Sequence, residues 1–309
     1  MNILSIKGGG CRGLIPLIFL KEFEKRTQKS IHELFHYFGG CSVGSLIISS
    51  LLISDDIIKN NAKYTAHQSY DLFLKHAKTS FSWTYYSYIT SMFGLIGPKY
   101  TSCGLFNIVN ESCQDHTMNK LLKPVIFPAY DRIRNKPFYF DKELHANVKI
   151  SDCIMATTSI PTYFESHKVN IDDQLHDFLD SAMVTNDASQ LVLLKSLSTM
   201  YVDKKNIFLL SLGTGIYPNT IHSRNGLLGW IPYIVNTLIT GAEENEMYQL
   251  SLALPKENYC ILDIPLDQAY SPDDTSDKTI EYYIKTTEKW IEEHDDIMTM
   301  VCQKLLQHI

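Results

Sequence analysis

At 309 residues, 45% hydrophobic and 20% charged, the chain suits one large domain with its own core and is not disordered or fibrous. A formal net charge of −6 argues against broad electrostatic capture of nucleic acid or anionic lipid. The seven cysteines are scattered and contain no C-x-x-C pair, so they read as reduced thiols in a cytoplasmic setting, not as a disulfide or zinc framework.

In chain order, Asn2 to Ile6 is short, apolar and followed by glycines, which predicts a buried strand. The N-terminus has neither a basic run nor a long apolar run, so no secretory signal peptide is expected. No stretch reaches the ~18 apolar residues of a spanning helix. Leu14 to Arg26 reads as a buried helix, Tyr37 to Cys41 as a second strand, and Val43 to Ile53 as a second apolar helix. This strand–glycine–helix alternation predicts an α/β fold with a mainly parallel sheet. Asp55 to Lys78 has a helical scatter of apolar residues. Phe81 to Ile96 is rich in aromatics and reads equally as a lid or membrane contact and as a buried or subunit contact. Strands are predicted at Val125–Tyr130, Phe138–Phe140, Ile207–Leu212 and Tyr259–Ile264. The apolar cluster from Leu227 to Leu238 reads mainly as core or oligomer contact. The tail from Thr279 to Leu306 reads as helix, with Asp277 as its cap. With no internal repeat or low-complexity linker, residues 1–309 are expected to form a single domain, with a motif-bearing core at 1–216 and a helical and strand extension at 217–309.

Two glycine-rich turns carry the chemistry. Gly40-Cys41-Ser42-Val43-Gly44 is a G-x-S-x-G between a predicted strand and a predicted helix, the arrangement that pushes a serine Oγ out of a sheet. Gly8-Gly9-Gly10-Cys11-Arg12-Gly13 follows the first strand, and consecutive glycines let backbone N–H groups crowd round an anion, as an oxyanion hole requires. The same residues fit G-x-G-x-x-G, but a dinucleotide site needs an acidic strand end about twenty positions on. Glu33 lies instead in the approach to the next strand, so a dinucleotide-binding oxidoreductase is the disfavoured reading. Asp180 follows a short apolar run and precedes Ser181 and Ala182, while Asp172, Asp173 and Asp177 compete with it and lack that pair of small residues. His222, His294 and His308 follow Asp180, none in a glycine-rich turn, so a serine–aspartate dyad fits better than a triad.

Together these residues resemble the patatin-like phospholipases, known by a D-G-G-G-x-R-G loop, a G-x-S-x-G elbow and a D-G-G or D-G-A aspartate in that order. Ser30 to Leu34, Ala156 to Phe164 and Ser211 to Gly215 are similar to further family segments, so the likeness covers roughly Asn2 to Gly215. The resemblance implies a three-layer α/β fold with a mainly parallel central sheet flanked by helices and a helical C-terminal region. It implies hydrolysis of fatty-acyl ester bonds in phospholipids, of phospholipase A or lysophospholipase type, with Ser42 as nucleophile, Asp180 as base and an acyl-enzyme. The resemblance further implies that Gly8, Gly9, Gly10, Cys11, Arg12 and Gly13 form the oxyanion loop, with the N–H groups of Gly9, Gly10 and Cys11 expected to hold the oxyanion and Arg12 to brace the loop or meet a head group. Gly40 and Gly44 frame the elbow.

No metal or cofactor is expected, since calcium-loop spacing is absent. Expected partners are a phospholipid substrate, a membrane met peripherally from the cytoplasm, and no nucleic acid. Family members are often held inactive until a protein, a small nucleotide signal or a membrane engages them, and the residues leave open both such an activator and a homo-oligomer. Four residues depart from the family pattern: Lys7 replaces the usual Asp, Ser181 replaces a glycine, and Cys41 and Ser45 replace threonine or similar small residues. A related fold that has lost catalysis and binds lipid or a partner is the alternative reading, and the presence of Ser42, the glycine loop and Asp180 weighs against it.

Overall fold

The computed structural model describes residues 1–81, 97–199, 203–217 and 227–308, without the side chains of 227–233 and 235. Eight strands form one sheet: β1 (Asn2–Ile6), β2 (Tyr37–Gly40), β3 (Val125–Asp131), β4 (Lys136–Asp141), β5 (His167–Ile171), β6 (Gln174–Leu179), β7 (Phe208–Leu212) and β8 (Tyr259–Leu262). Their order is β5-β6-β3-β2-β1-β7-β8, with β4 also paired to β3. The run β3-β2-β1-β7-β8 is parallel, and β4, β5 and β6 join by antiparallel pairing. This is the mainly parallel α/β architecture that the strand–glycine–helix alternation predicts, flanked by helices in the three layers that the family resemblance implies.

Strand periodicity assigns the two faces. From β1, Leu4 and Ile6 enter the larger core, beneath helices α1 (Leu14–Thr27), α3 (Val43–Leu52), α4 (Ala66–Ser80), α5 (Cys103–Cys113) and α6 (Ile150–Thr157). Ile3 points to the opposite face with Tyr37, Ile126 and Leu209. There it meets Val192 and Leu193 of α7 (Ser189–Thr199) and Leu250 of α8 (Leu227–Ala253). The single turn α2 (Ile31–Leu34) opens on a capping box in which the Glu33 carboxylate accepts the Ser30 N–H at 2.9 Å. Glu33 is therefore not at a strand end, and the dinucleotide reading loses its acidic residue.

The C-terminal region packs into the same sheet and core. β8 pairs with β7, while Tyr283 and Leu305 are fully buried in the larger core. Asn2 Nδ2 donates to the Leu305 carbonyl at 2.7 Å, tying the first strand to the last helix. The tail is two helices, α9 (Asp277–Glu293) and α10 (Asp295–Leu306), not one. The cap of α9 is Ser276, whose Oγ accepts the Thr279 N–H, and Asp277 instead occupies the first turn. The chain breaks at His294, whose ring stacks on Trp290 with centroids 4.2 Å apart.

Sequence patterning missed the β5–β6 hairpin. Its strands are too polar to announce themselves, and its turn places Asp172 and Asp173 at φ 50° and 60°. Of the apolar cluster from Leu227, Ile234 and Leu238 are solvent-exposed at 47% and 67%, which corrects the core reading for those two. The aromatic stretch lies outside the described residues except for Phe81, which packs edge-on against Tyr100 at 5.6 Å. No described helix is long and apolar enough to cross a membrane.

Candidate active site

Ser42 sits between β2 and α3 at φ 49°, ψ −120°. That left-handed φ is uncommon for a residue with a Cβ and marks the sharp strand-to-helix turn of a nucleophile elbow. The flanking glycines allow the approach. A Cβ on Gly40 would lie 2.8 Å from the Gly44 backbone, and one on Gly44 would lie 2.2 Å from the Ile6 carbonyl oxygen. Ser45 spends its hydroxyl on the Gly40 carbonyl at 2.8 Å, closing the turn.

The Ser42 hydroxyl donates to Asp180 Oδ2 at 2.8 Å. Strand β6, joining the sheet antiparallel to β3, delivers that carboxylate. Asp180 is fully buried, and its Oδ1 accepts the Ala182 N–H at 2.7 Å and the Ser181 hydroxyl at 3.3 Å. Burial pushes its carboxyl up to about 6, against the lowering pull of the Ala182 N–H and the Ser42 and Ser181 hydroxyls. Ser181 opens a right-handed 3-10 turn, so its Cβ costs nothing there and its hydroxyl becomes a third hold on the carboxylate.

The rival aspartates are committed elsewhere. Asp172 and Asp173 form the hairpin turn, and Asp177 pairs with Arg132 at 2.7 Å. No described histidine hydrogen-bonds Ser42 or Asp180, and His222 lies outside the described residues.

The glycine loop lies against the elbow. A Cβ on Gly8 would come within 3.3 Å of the Ser42 Cβ, and Gly10 and Cys11 line the same pocket as Ser42. The N–H groups of Gly9 and Gly10 have no hydrogen-bond partner among the described residues. The Cys11 N–H does: it donates to the Pro272 carbonyl at 2.8 Å, which removes it from the donors available to an oxyanion. Gly10 takes φ +59°, and a Cβ there would strike the same carbonyl at 2.4 Å. Arg12 braces the loop, donating to the Gly9 and Gly215 carbonyls with its guanidinium over the Tyr217 ring. Gly13 packs on α3, where a Cβ would meet Val43 at 2.7 Å.

Beside Ser42 opens an apolar pocket walled by Val43, Leu46, Phe73, Leu105, Ile108 and Phe164. Such walls suit a hydrocarbon chain, and they exclude the water that would compete for the buried carboxylate.

Several supporting residues escaped the motif reading of single positions. Thr157 Oγ1 accepts the Ser42 N–H at 3.3 Å while donating to the Pro128 carbonyl at 2.7 Å. Thr214 Oγ1 donates to the Gly8 carbonyl at 2.8 Å. Both lie in segments similar to family motifs, which was the available signal. Asp187 had none. It gathers the hydroxyls of Ser5, Ser189 and Ser211, tying β1, α7 and β7 together.

A nucleophile elbow, a buried carboxylate bonded to its serine and a glycine cradle, on a mainly parallel sheet, define an acyl-hydrolase-like class of site. Residues 4–190 match the family model described as patatin-like phospholipase. This chain belongs to the patatin-like phospholipase family. Patatin-like protein 2 of Oryza sativa subsp. indica is 29% identical over 181 residues, covering 54% of this chain and 44% of that protein. Patatin-08 of Solanum tuberosum is 28% identical over 245 residues, covering 70% of this chain and 60% of that protein. The chain thus spans less than two thirds of either relative. The crystal structure of VipD from Legionella pneumophila aligns with a TM-score of 0.42 at 9% identity, over 95% of this chain and 66% of that one.

Proposed function

We propose that this protein hydrolyses fatty-acyl ester bonds of phospholipids through an acyl-enzyme on Ser42, with Asp180 as general base. The observation that carries the reading is the 2.8 Å hydrogen bond from Ser42 Oγ to a buried Asp180 at the edge of an apolar pocket. A carboxyl pushed up to about 6 is still mostly ionised at neutral pH, yet basic enough to accept a proton in the transition state.

In the first step Ser42 Oγ bonds to the ester carbonyl carbon as its proton passes to Asp180 Oδ2. The carbonyl oxygen, now negative, is held by the Gly9 and Gly10 N–H groups, with the N-terminus of α3 beneath. Collapse breaks the ester C–O bond, and the departing alcohol takes the proton from Asp180. Water then attacks the acyl-Ser42 carbonyl and gives a proton to Asp180. Release of the fatty acid returns that proton to Ser42 Oγ.

Membrane contact is peripheral in this reading, and the enzyme works as one domain, alone or held for an activator. The test is fatty-acid release from mixed phospholipid vesicles, beside labelling by a fluorophosphonate probe. Wild type should do both, and Ser42→Ala and Asp180→Ala should release no fatty acid. A wild type that neither labels nor hydrolyses, with or without cell extract, returns the chain to a binding role.

A further inference from the structure

Lys7 follows the last residue of β1 and immediately precedes the glycine loop, and it is only 4% exposed. Its ammonium lies 3.3 Å from Glu243 Oε2 and 3.3 Å from Asp263 Oδ2. Each of those carboxylates has a second hold on the site. Glu243 Oε1 accepts Asn186 Nδ2 at 2.6 Å, and the Asn186 carbonyl accepts the Gly8 N–H at 3.1 Å. Asp263 Oδ1 accepts the Gly215 N–H at 2.7 Å, and the Gly215 carbonyl receives Arg12. Lys7 thereby joins the glycine loop, the loop that runs on from Asp180, and the turn after β7.

The charge itself is unusual for so buried a place. Burial works against the ammonium, and Asp187, Asp263 and Glu243 together outweigh it, so the lysine stays protonated. Removing it would leave partly buried carboxylates facing one another, with Glu246, already pushed up to about 7 chiefly by burial, among them. Glu243 lies on α8 and Asp263 just beyond β8, both outside the residues 4–190 that match the family.

We infer that Lys7 is a positioning residue: its ion pairs with Glu243 and Asp263 set the glycine loop at the distance from Ser42 and Asp180 that oxyanion binding needs. The inference rests on the acyl-hydrolase reading, so its test has one readout that requires hydrolysis and one that does not. The variants are Lys7→Met, Glu243→Gln and the double variant, in the full chain and well below the lowest melting temperature. Turnover of p-nitrophenyl butyrate gives kcat and KM, and amide hydrogen exchange reports on Gly8 to Gly13.

Lys7→Met should lower kcat about 10- to 100-fold with KM within about threefold, because a misplaced oxyanion cradle weakens the transition state more than the ground state. The double variant should lose no more than Lys7→Met, and exchange at Gly8 to Gly13 should quicken about tenfold in both. A Lys7→Met protein with wild-type kcat and wild-type exchange, merely melting earlier, overturns the inference and leaves the hydrolase reading intact. A wild type that neither labels nor hydrolyses, with or without cell extract, overturns the hydrolase reading, and exchange alone then decides on Lys7. Should Lys7→Met fail to fold, Glu243→Gln carries the same comparison, since Asp263 still pairs the ammonium.

Discussion

Gly44 stands so close to Ile6 that a β-carbon on the glycine would lie 2.2 Å from the Ile6 carbonyl oxygen. The contact presses the first turn of α3 onto the end of β1, and so sets the Ser42 elbow beside the glycine loop. Gly44→Ala must push backbone against backbone, and neither side has a flexible end to yield. We expect a loss of about 1–3 kcal/mol in stability and about 100-fold in esterase kcat, since the serine shifts with the turn. Thermal melting alongside fluorophosphonate labelling checks both, and a Gly44→Ala variant as fast as wild type refutes the contact's role.

Asp180 predicts two opposite pH trends. Its carboxyl lies at about 6 in the folded chain against an ordinary 3.8. As the proposed base, Asp180 must be ionised, so kcat/KM should rise with pH through about 6 and level off above it. Stability runs the other way. Between those two values the native state keeps a proton that the unfolded chain has released, so stability falls as pH rises through that window. Asp180→Asn escapes that cost. Denaturant titration should find it about 2 kcal/mol more stable than wild type at neutral pH, with the gain gone near pH 4, while hydrolysis is lost.

Asp187 concentrates buried hydrogen bonds. Its Oδ1 accepts from the Ser5 hydroxyl and from both the N–H and hydroxyl of Ser189, and its Oδ2 accepts from Ser211. Asp187→Ala leaves these donors buried without an acceptor and strips Lys7 of a neighbouring negative charge. A loss of about 3 kcal/mol or more in urea unfolding is expected, and a loss under about 1 kcal/mol would show that the serines find other partners.

The apolar pocket predicts chain-length selection. Ala77 of α4 lines it next to Phe73 and Phe81. Ala77→Phe would take up pocket space along α4 without changing Ser42 itself. Turnover of p-nitrophenyl palmitate should fall at least about tenfold, with the butyrate ester within about threefold of wild type. Equal losses on both esters would place the acyl chain elsewhere.

Thiol chemistry separates the cysteines. Burial pushes Cys11 and Cys113 up to about 12 and Cys260 and Cys302 up to about 11, and Cys41 and Cys153 are fully buried. Cys103 alone is exposed. Maleimide at neutral pH should add rapidly once per chain, at Cys103, and Cys103→Ser should abolish the fast phase. Rapid labelling at Cys11 would mean that the glycine loop opens.

Much of the site is legible in the residues because its demands are local. A left-handed φ at Ser42, φ +59° at Gly10 and the missing Cβ atoms at Gly40 and Gly44 are conditions on single positions, and only a few residue types meet them. The parallel core strands are equally readable, being short and largely apolar, with glycines in or soon after β1, β2 and β7. The β5–β6 hairpin was not. Its pattern of buried and exposed residues is mixed, and its place in the sheet comes from pairing with β3.

By itself, then, the chain's order of residues determined the strand–glycine–helix scaffold and the identity of the serine elbow, because backbone sterics act between near neighbours. The small residues after Asp180 and the family resemblance singled that aspartate out, but only the tertiary structure decided how its carboxylate meets Ser42, since the two lie 138 positions apart. It likewise decided that the Cys11 amide is taken by Pro272, and that Lys7 keeps its charge through Glu243, 236 positions away. Those choices depend on burial and on charges brought together from distant segments. A low-dielectric interior makes such pairings energetically decisive, and no spacing along the chain encodes them.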